Sequence, residues 1–187
     1  MLNNCCCCRG PRGPQGERGC TGPRGPQGEV GSQGPAGSCE CQCSTRGELL
    51  INGGMEDFTG TVPDGWEIND PSLSQRVTDW PVNSGASSLM LRQGGVLCQT
   101  VPVDSGCICT LSFLAINGEY TVTLVYNTPD GQIQGLIINV RDTGNSQWGR
   151  FGGTSIAPQG ATSATLCFNA ITVQEFTRLD DVSLVCV

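Results

Sequence analysis

From residue 48 onward apolar and polar residues alternate in short runs, the period of strands with one face on a core and one in water. Such runs occupy 48–51, 88–91, 96–101, 109–114, 120–126, 133–140, 164–168 and 179–187, separated by Gly, Pro, Asn and Asp. Pro129-Asp130-Gly131 predicts a hairpin turn between two of them. No amphipathic pattern of helical length competes. Eight or so strands in the span 48–187 predict an all-β head, a two-sheet sandwich or jelly roll.

The alternation is absent before residue 48. There glycine falls at every third position from Gly10 to Gly37, in ten unbroken triplets over residues 10–39. Only glycine fits the crowded axis of three wound polyproline-type chains, so this register predicts a collagen triple helix and a homotrimer. A disordered Gly/Pro linker would have no reason to keep it. Pro11, Pro14, Pro23, Pro26 and Pro35 all take the X position and none takes Y, which suits a collagen made without prolyl hydroxylation. At about 3.1 Å per residue the stalk would extend roughly 90 Å. The expected organisation is a Cys-rich anchor at 1–9, a stalk at 10–39, a Cys-rich neck at 40–47 and the head at 48–187.

A triple helix this short needs locks at its ends. Cys5, Cys6, Cys7 and Cys8 precede the first triplet, Cys39, Cys41 and Cys43 follow the last, and Cys20 takes an outward X position within. We read these eight as interchain cysteines, because closing chain ends lowers the entropy of the separated state. Four adjacent thiols wrap one tetrahedral zinc poorly, and C-x-C-x-C lacks the usual zinc spacing. Lipidation is the other reading for the N-terminal group. Thirteen cysteines in three chains make an odd total, so a fully oxidised trimer must bond to something outside itself or keep a free thiol. Cys98, Cys107, Cys109, Cys167 and Cys186 remain to staple the head, in a connectivity that spacing does not give.

Charge follows the same division. Residues 1–46 hold five Arg and three acids, whereas residues 47–187 hold five Arg and fourteen acids. So acidic a head excludes nucleic acid as its partner. The chain has no His and no Lys, which removes the commonest general base, the Schiff-base amine and the usual zinc ligand. No stretch approaches the roughly 20 apolar residues of a membrane span. The residues after Met1 lack the apolar core of a secretory signal, so we expect a signal already removed or another route out. Thirteen cysteines point to an oxidising final location. A surface layer built inside one cell and exposed at its lysis would satisfy both.

The head resembles a galactose-binding-like carbohydrate-binding module. The resemblance rests on the opening Ile51-Asn52-Gly53-Gly54-Met55-Glu56-Asp57-Phe58, on Val62-Pro63-Asp64-Gly65-Trp66, on Cys98-Gln99-Thr100-Val101 followed by Cys109-Thr110-Leu111-Ser112-Phe113, and on the closing Leu179-Asp180-Asp181-Val182-Ser183-Leu184. It implies a jelly roll whose first and last strands lie together. It also implies a structural calcium, the one candidate cofactor, held by Glu56, Asp180 and backbone oxygens; hard carboxylate and carbonyl oxygens suit that ion. The alternative is that both are solvated charges at strand ends. Such modules stack sugars on exposed aromatics, and Trp80 and Trp148 lie in loop-like sequence where a glycan could reach them, although core or trimer packing is the commoner use of such residues. Trp66, after its Pro-Asp-Gly turn, reads as a packing residue.

The whole arrangement is similar to the collagen-like filament proteins of bacterial endospore surfaces. That resemblance implies a structural subunit of a disulfide-cross-linked appendage on the spore surface, joined to other trimers or coat proteins, with its trimeric heads outward. The alternative is a lectin-like adhesin that binds glycans through the head. No catalytic constellation is visible: strand alternation would put the carboxylates of Asp180 and Asp181 on opposite faces, where they cannot act as facing acid and base.

Overall fold

The computed structural model describes residues 43–79, 82–116, 118–141, 147–172 and 178–187. The chain divides after Cys41, and the second unit, Gln42–Val187, is compact. The expected stalk, with Cys5, Cys6, Cys7, Cys8, Cys20, Cys39 and Cys41, lies outside the described residues, as does Trp80.

The second unit is built from β1 (Gly47–Glu48), β2 (Phe58–Thr59), β3 (Val62–Pro63), β4 (Glu67–Ile68), β5 (Ser74–Val77), β6 (Ser88–Leu91) and β7 (Val96–Pro102). The longer strands follow: β8 (Ile108–Ile116), β9 (Glu119–Thr128), β10 (Gly131–Val140), β11 (Gly149–Ile156), β12 (Ser163–Thr172) and β13 (Arg178–Cys186). One sheet runs β11-β8-β13-β6-β5 with β1 also on β13, the other runs β10-β9-β12-β7-β4, and β2-β3 form a small ribbon. Every pairing is antiparallel. The expected sandwich is present. Its first and last strands lie together, through Gly47 opposite Cys186 and Glu48 opposite Val185.

Alternation decides which side chains meet between the sheets. Tyr120, Val122, Leu124 and Tyr126 of β9 point inward with Leu166 and Phe168 of β12, while β8 supplies Cys109, Leu111 and Phe113. Phe113 meets Phe168 edge-on at 5.1 Å and stacks on Phe151 at 5.6 Å, pairs that each add about 0.5–1.5 kcal/mol beyond their burial. Trp66 is buried against Phe168, as its turn context predicted. Pro129-Asp130 makes the β9–β10 turn, with Thr128 opposite Gly131.

Five strands escaped the pattern: the two-residue β2, β3 and β4, and the longer β5 and β11. β5 is only Ser74-Gln75-Arg76-Val77, and β11 carries Gly149, Gly152 and Gly153, which read as breakers. Gly152 is there for room: a methyl on it would overlap the carbonyl of Leu111 across the pair and sit 3.2 Å from Ser112 Cα. The run at 48–51 shrinks in turn to the two paired residues of β1.

Three disulfides hold this unit: Cys43–Cys107, Cys98–Cys167 and Cys109–Cys186. The first corrects the placing of Cys43 among the interchain cysteines. Five head cysteines cannot pair among themselves, and the sixth is Cys43, drawn in by the residues beside it. The Asp104 carboxylate accepts from the Ser44 hydroxyl and from Thr45 N–H (3.2 Å) and Oγ1–H (2.7 Å), while Asp104 N–H donates back to Thr45 Oγ1 (3.0 Å). The other two disulfides join directly opposed residues of β7–β12 and β8–β13. With separations of 64, 69 and 77 residues, each removes about 4 kcal/mol of unfolded-chain entropy in the loop-closure account.

Candidate functional site

The opening and closing motifs meet around one short loop, residues 83–87. Strand β13 breaks register against β8 between Asp180 and Ser183, and Asp181 inside the break has φ 48°. The break overturns the expected alternation, since both carboxylates now face the same loop. Asp180, fully buried, accepts from Asn83 N–H (3.1 Å) and Asp181 N–H (2.8 Å). Asp181 accepts from Asn83 Nδ2 (2.5 Å) and Ser84 Oγ (2.6 Å). Burial pushes the Asp180 carboxyl up to about 6, against the pull of its backbone N–H bonds and with a further push from the charge of Asp181.

Glu56 reaches the loop from the other end of the chain. Its Oε2 accepts from Ala86 N–H (2.9 Å), while its Oε1 is buried with no hydrogen-bond partner. Gly85, at φ +61°, lies against this carboxylate, and any side chain there would overlap it. A turn built by Asn52 holds Glu56 in place. Asn52 Oδ1 accepts from the N–H groups of Glu56 (2.9 Å) and Asp57 (3.2 Å), and its Nδ2 donates to the carbonyl of Asp57 (2.7 Å). Asn52 and Met55 both have φ of 52°, a region in which Asn is the best tolerated residue after Gly. Ser87 Oγ donates to the Met55 carbonyl at 2.7 Å, and Val182 N–H to the Gly53 carbonyl at 2.8 Å. Buried Gln99 completes the frame, its amide bridging Ile51 to the Gly65 carbonyl.

The structure therefore brings Glu56 and Asp180 onto one loop and adds Asn83, Ser84 and Gly85, whose sequence carries no signal beyond a polar turn. Among the described residues no group of three or more His, Cys, Asp or Glu converges on a metal position. The donor chemistry still fits a hard cation. A buried carboxylate oxygen without a partner and a second buried carboxylate are the groups such an ion would satisfy.

Aromatic positions are sparse. Trp148 is half-buried immediately before edge strand β11, two residues from exposed Arg150. The outer face of the five-stranded sheet carries no aromatic side chain among its described residues. Its rows are Ile137–Thr123–Cys167–Cys98–Glu67, Asn139–Thr121–Asn169–Val96 and Gln134–Val125–Thr165–Thr100. These polar groups largely satisfy one another: Asn127 Nδ2 donates to Ser163 Oγ (3.0 Å) and Thr165 Oγ1 (3.1 Å), and Thr100 and Thr165 hydroxyls lie 3.0 Å apart.

No family model matches the sequence, and no curated protein does. Solved structures do. The carbohydrate-binding module TmCBM61, solved with β-1,4-galactotriose, superposes with a TM-score of 0.54 at 19% identity, over 73% of this chain and 97% of that one. The head has the fold of a carbohydrate-binding module. A family 16 carbohydrate-binding module gives 0.56 at 16% identity, over 73% of this chain and 99% of that one. Tailspike protein 4 of Bacteriophage CBA120, in its enzymatically active domain, gives 0.58 at 15% identity over 75% of this chain, which spans only 21% of that domain. At these identities the likeness is one of fold.

Proposed function

We propose that this chain is a trimeric surface protein whose collagen-like stalk displays carbohydrate-binding heads. The observation that carries the reading is the module fold, matched over 97–99% of two such modules. With no aromatic on the described outer face of the five-stranded sheet, the sugar platform of this reading is Trp148, with Arg150 two residues on to donate to hydroxyls; Trp80, outside the described residues, is the other candidate ring of the sequence. Three heads on one stalk would raise a weak single-site affinity through effective concentration. Glu56 and Asp180 would hold calcium together with backbone oxygens; its contribution would be to fix the 83–87 loop, not to touch the sugar. The reading gives the chain no catalysis of its own, and glycan hydrolysis by the purified protein would contradict that.

The test is a glycan array probed with the intact protein beside Trp148→Ala. We expect binding to at least one glycan class and at least a tenfold loss in the variant, with the melting of the head unchanged. Binding indifferent to Trp148 would refute the site, and no binding by the wild type would refute the function.

One observation favours a second reading, the cross-linked appendage subunit. All six described cysteines pair within the head, which leaves seven of thirteen in residues 1–42. Seven per chain, or twenty-one per trimer, is still odd, so complete oxidation requires a bond outside the trimer. An oxidising surface, with the spore surface as the specific expectation, accommodates both readings. Electron microscopy before and after reduction separates them: fibres that fall to stalked trimers support the appendage, and isolated trimers in both states exclude it.

A further inference from the structure

Four of the exposed aliphatic side chains lie on one outer face of the head, in the six-stranded sheet. Ile156 of β11 stands opposite Ile108 of β8. Ile108 in turn exchanges both backbone hydrogen bonds with Val187, at 2.9 and 3.0 Å. The three form a row across three strands, with 65%, 43% and 63% of their surface exposed. Behind it run Thr154, Thr110 and Val185, the last 37% exposed, bordered by Glu48. Glu48 is itself tied down: its carboxylate accepts from Ser183 Oγ (2.5 Å) and from Leu184 N–H (3.0 Å), so its charge does not lie across the patch.

The five-stranded sheet also carries exposed isoleucines, Ile133 and Ile137 of β10 and Ile171 of β12, but no two of them are paired across strands: Ile133 stands opposite Tyr126, and Ile137 shares its row with Thr123 and the Cys98–Cys167 disulfide. An apolar row in three adjacent strands is the feature that protein contacts bury.

The location of the row selects its occupant. Ile108 follows Cys107, whose disulfide to Cys43 fastens the incoming chain to the head, and Gly47–Glu48 then pairs with β13 beside Val185. Each copy of the chain therefore enters its head at the edge of this patch. The Gly-X-Y repeat requires three copies side by side. We propose that the outer face of the six-stranded sheet around Ile108, Ile156, Val185 and Val187 is where the heads of one trimer contact one another. The inference rests on the three-chain reading of the repeat and adds the surface. A patch this small would not hold free heads together, since a stable interface buries about 800 Å² per partner. Heads joined through a stalk meet at millimolar effective concentration, where a weak contact suffices.

The experiment uses the full chain under reducing conditions mild enough to leave the buried Cys109–Cys186 bond intact. Wild type, Ile156→Glu, Ile156→Thr and the opposite-face control Ile137→Glu are compared by sedimentation and by head-to-head photo-crosslinking from a benzophenone residue at position 110. We expect trimers in the wild type, at least a tenfold fall in crosslink yield for Ile156→Glu, a smaller fall for Ile156→Thr, which keeps the β-branched shape, and no change for Ile137→Glu. A wild type without trimers would remove the three-chain reading itself. Trimers whose crosslinking ignores both substitutions at 156, or responds to Ile137→Glu instead, would leave that reading standing and overturn this surface. If Ile156→Glu unfolds the head, Ile156→Thr decides alone.

Discussion

Adding one methyl group at Gly53 and one at Gly54 should have opposite consequences. Gly53 sits where the opening segment crosses β13. Its carbonyl accepts Val182 N–H at 2.8 Å, and a Cβ on it would overlap the Val182 carbonyl oxygen and lie 3.0 Å from the carbonyl carbon, inside the 3.5–4.0 Å optimum for carbon contacts. Neither backbone can yield alone, because the Asn52 turn holds one, and the other, although Val182 lies in the register break of β13, is held on both sides by the pairing of Asp180 and Ser183 with β8. Gly53→Ala must part them. That costs the hydrogen bond and leaves the N–H of buried Val182 and the C=O of half-buried Gly53 unpaired, about 1–3 kcal/mol, plus a strain of similar size. We take about 3 kcal/mol in all. For a unit spanning Gln42–Val187, at 2–4 °C per kcal/mol, the midpoint should fall by roughly 6–12 °C. At Gly54 the nearest atom to an added Cβ is Glu56 Cγ at 3.9 Å and φ is unstrained, so Gly54→Ala should be neutral or raise stability by up to about 1 kcal/mol through unfolded-chain entropy. Thermal unfolding by circular dichroism, disulfides intact and calcium fixed, reads both. Equal midpoints for the two variants would refute the close approach of the two chain ends.

Gly85→Ala, which forces a methyl into the Glu56 carboxylate from a left-handed backbone, should abolish any rise in melting temperature that calcium gives the wild type; a surviving rise would place the ion elsewhere. Graded reduction with alkylation and mass mapping should open Cys98–Cys167 before Cys109–Cys186, because the first pair is half-buried on an outer face and the second is inaccessible. Hydrogen bonds from Ser44 and Thr45 hold the Asp104 carboxyl below its ordinary value. The contribution of Asp104 is therefore complete above about pH 4 and lost as pH falls through the lowered folded value. Protection of the Thr45 amide from hydrogen exchange, corrected for its intrinsic rate, should fall over that window in the wild type and not in Asp104→Asn.

The sandwich was legible because its long strands keep a strict period of two. Tyr120 to Tyr126 can bury one face only. Strands without that pattern were hidden. β5 has a single apolar residue, Val77, and buries Ser74 at its other end, and β11 uses glycines for clearance, a requirement that Leu111, 41 residues before Gly152, sets from across the pair and that is invisible locally. The carboxylates could be singled out as a pair, because Glu56 and Asp180 sit in motifs with a recognisable likeness. The loop that joins them could not, since Asn83-Ser84-Gly85 reads as any polar turn. Cys43 was misplaced for a similar reason: its neighbours in sequence are other cysteines, whereas its partner is fixed by Ser44, Thr45 and Asp104 in space.

The Cys43–Cys107 bond also fixes how the head would respond to tension. A pull arriving along the chain from its N-terminal side leaves the main chain at Cys43 and enters β8 through Cys107, so residues 44–106 form a closed loop that carries no load. The two-residue strand β1, the Asn52 turn and the 83–87 loop all lie within that bypass. The force is delivered instead to β8, held between β11 and β13 and bonded to β13 by Cys109–Cys186. The carboxylate loop is thereby shielded from any strain at the tether, and the head would hold its shape until a covalent bond or a whole strand gives way.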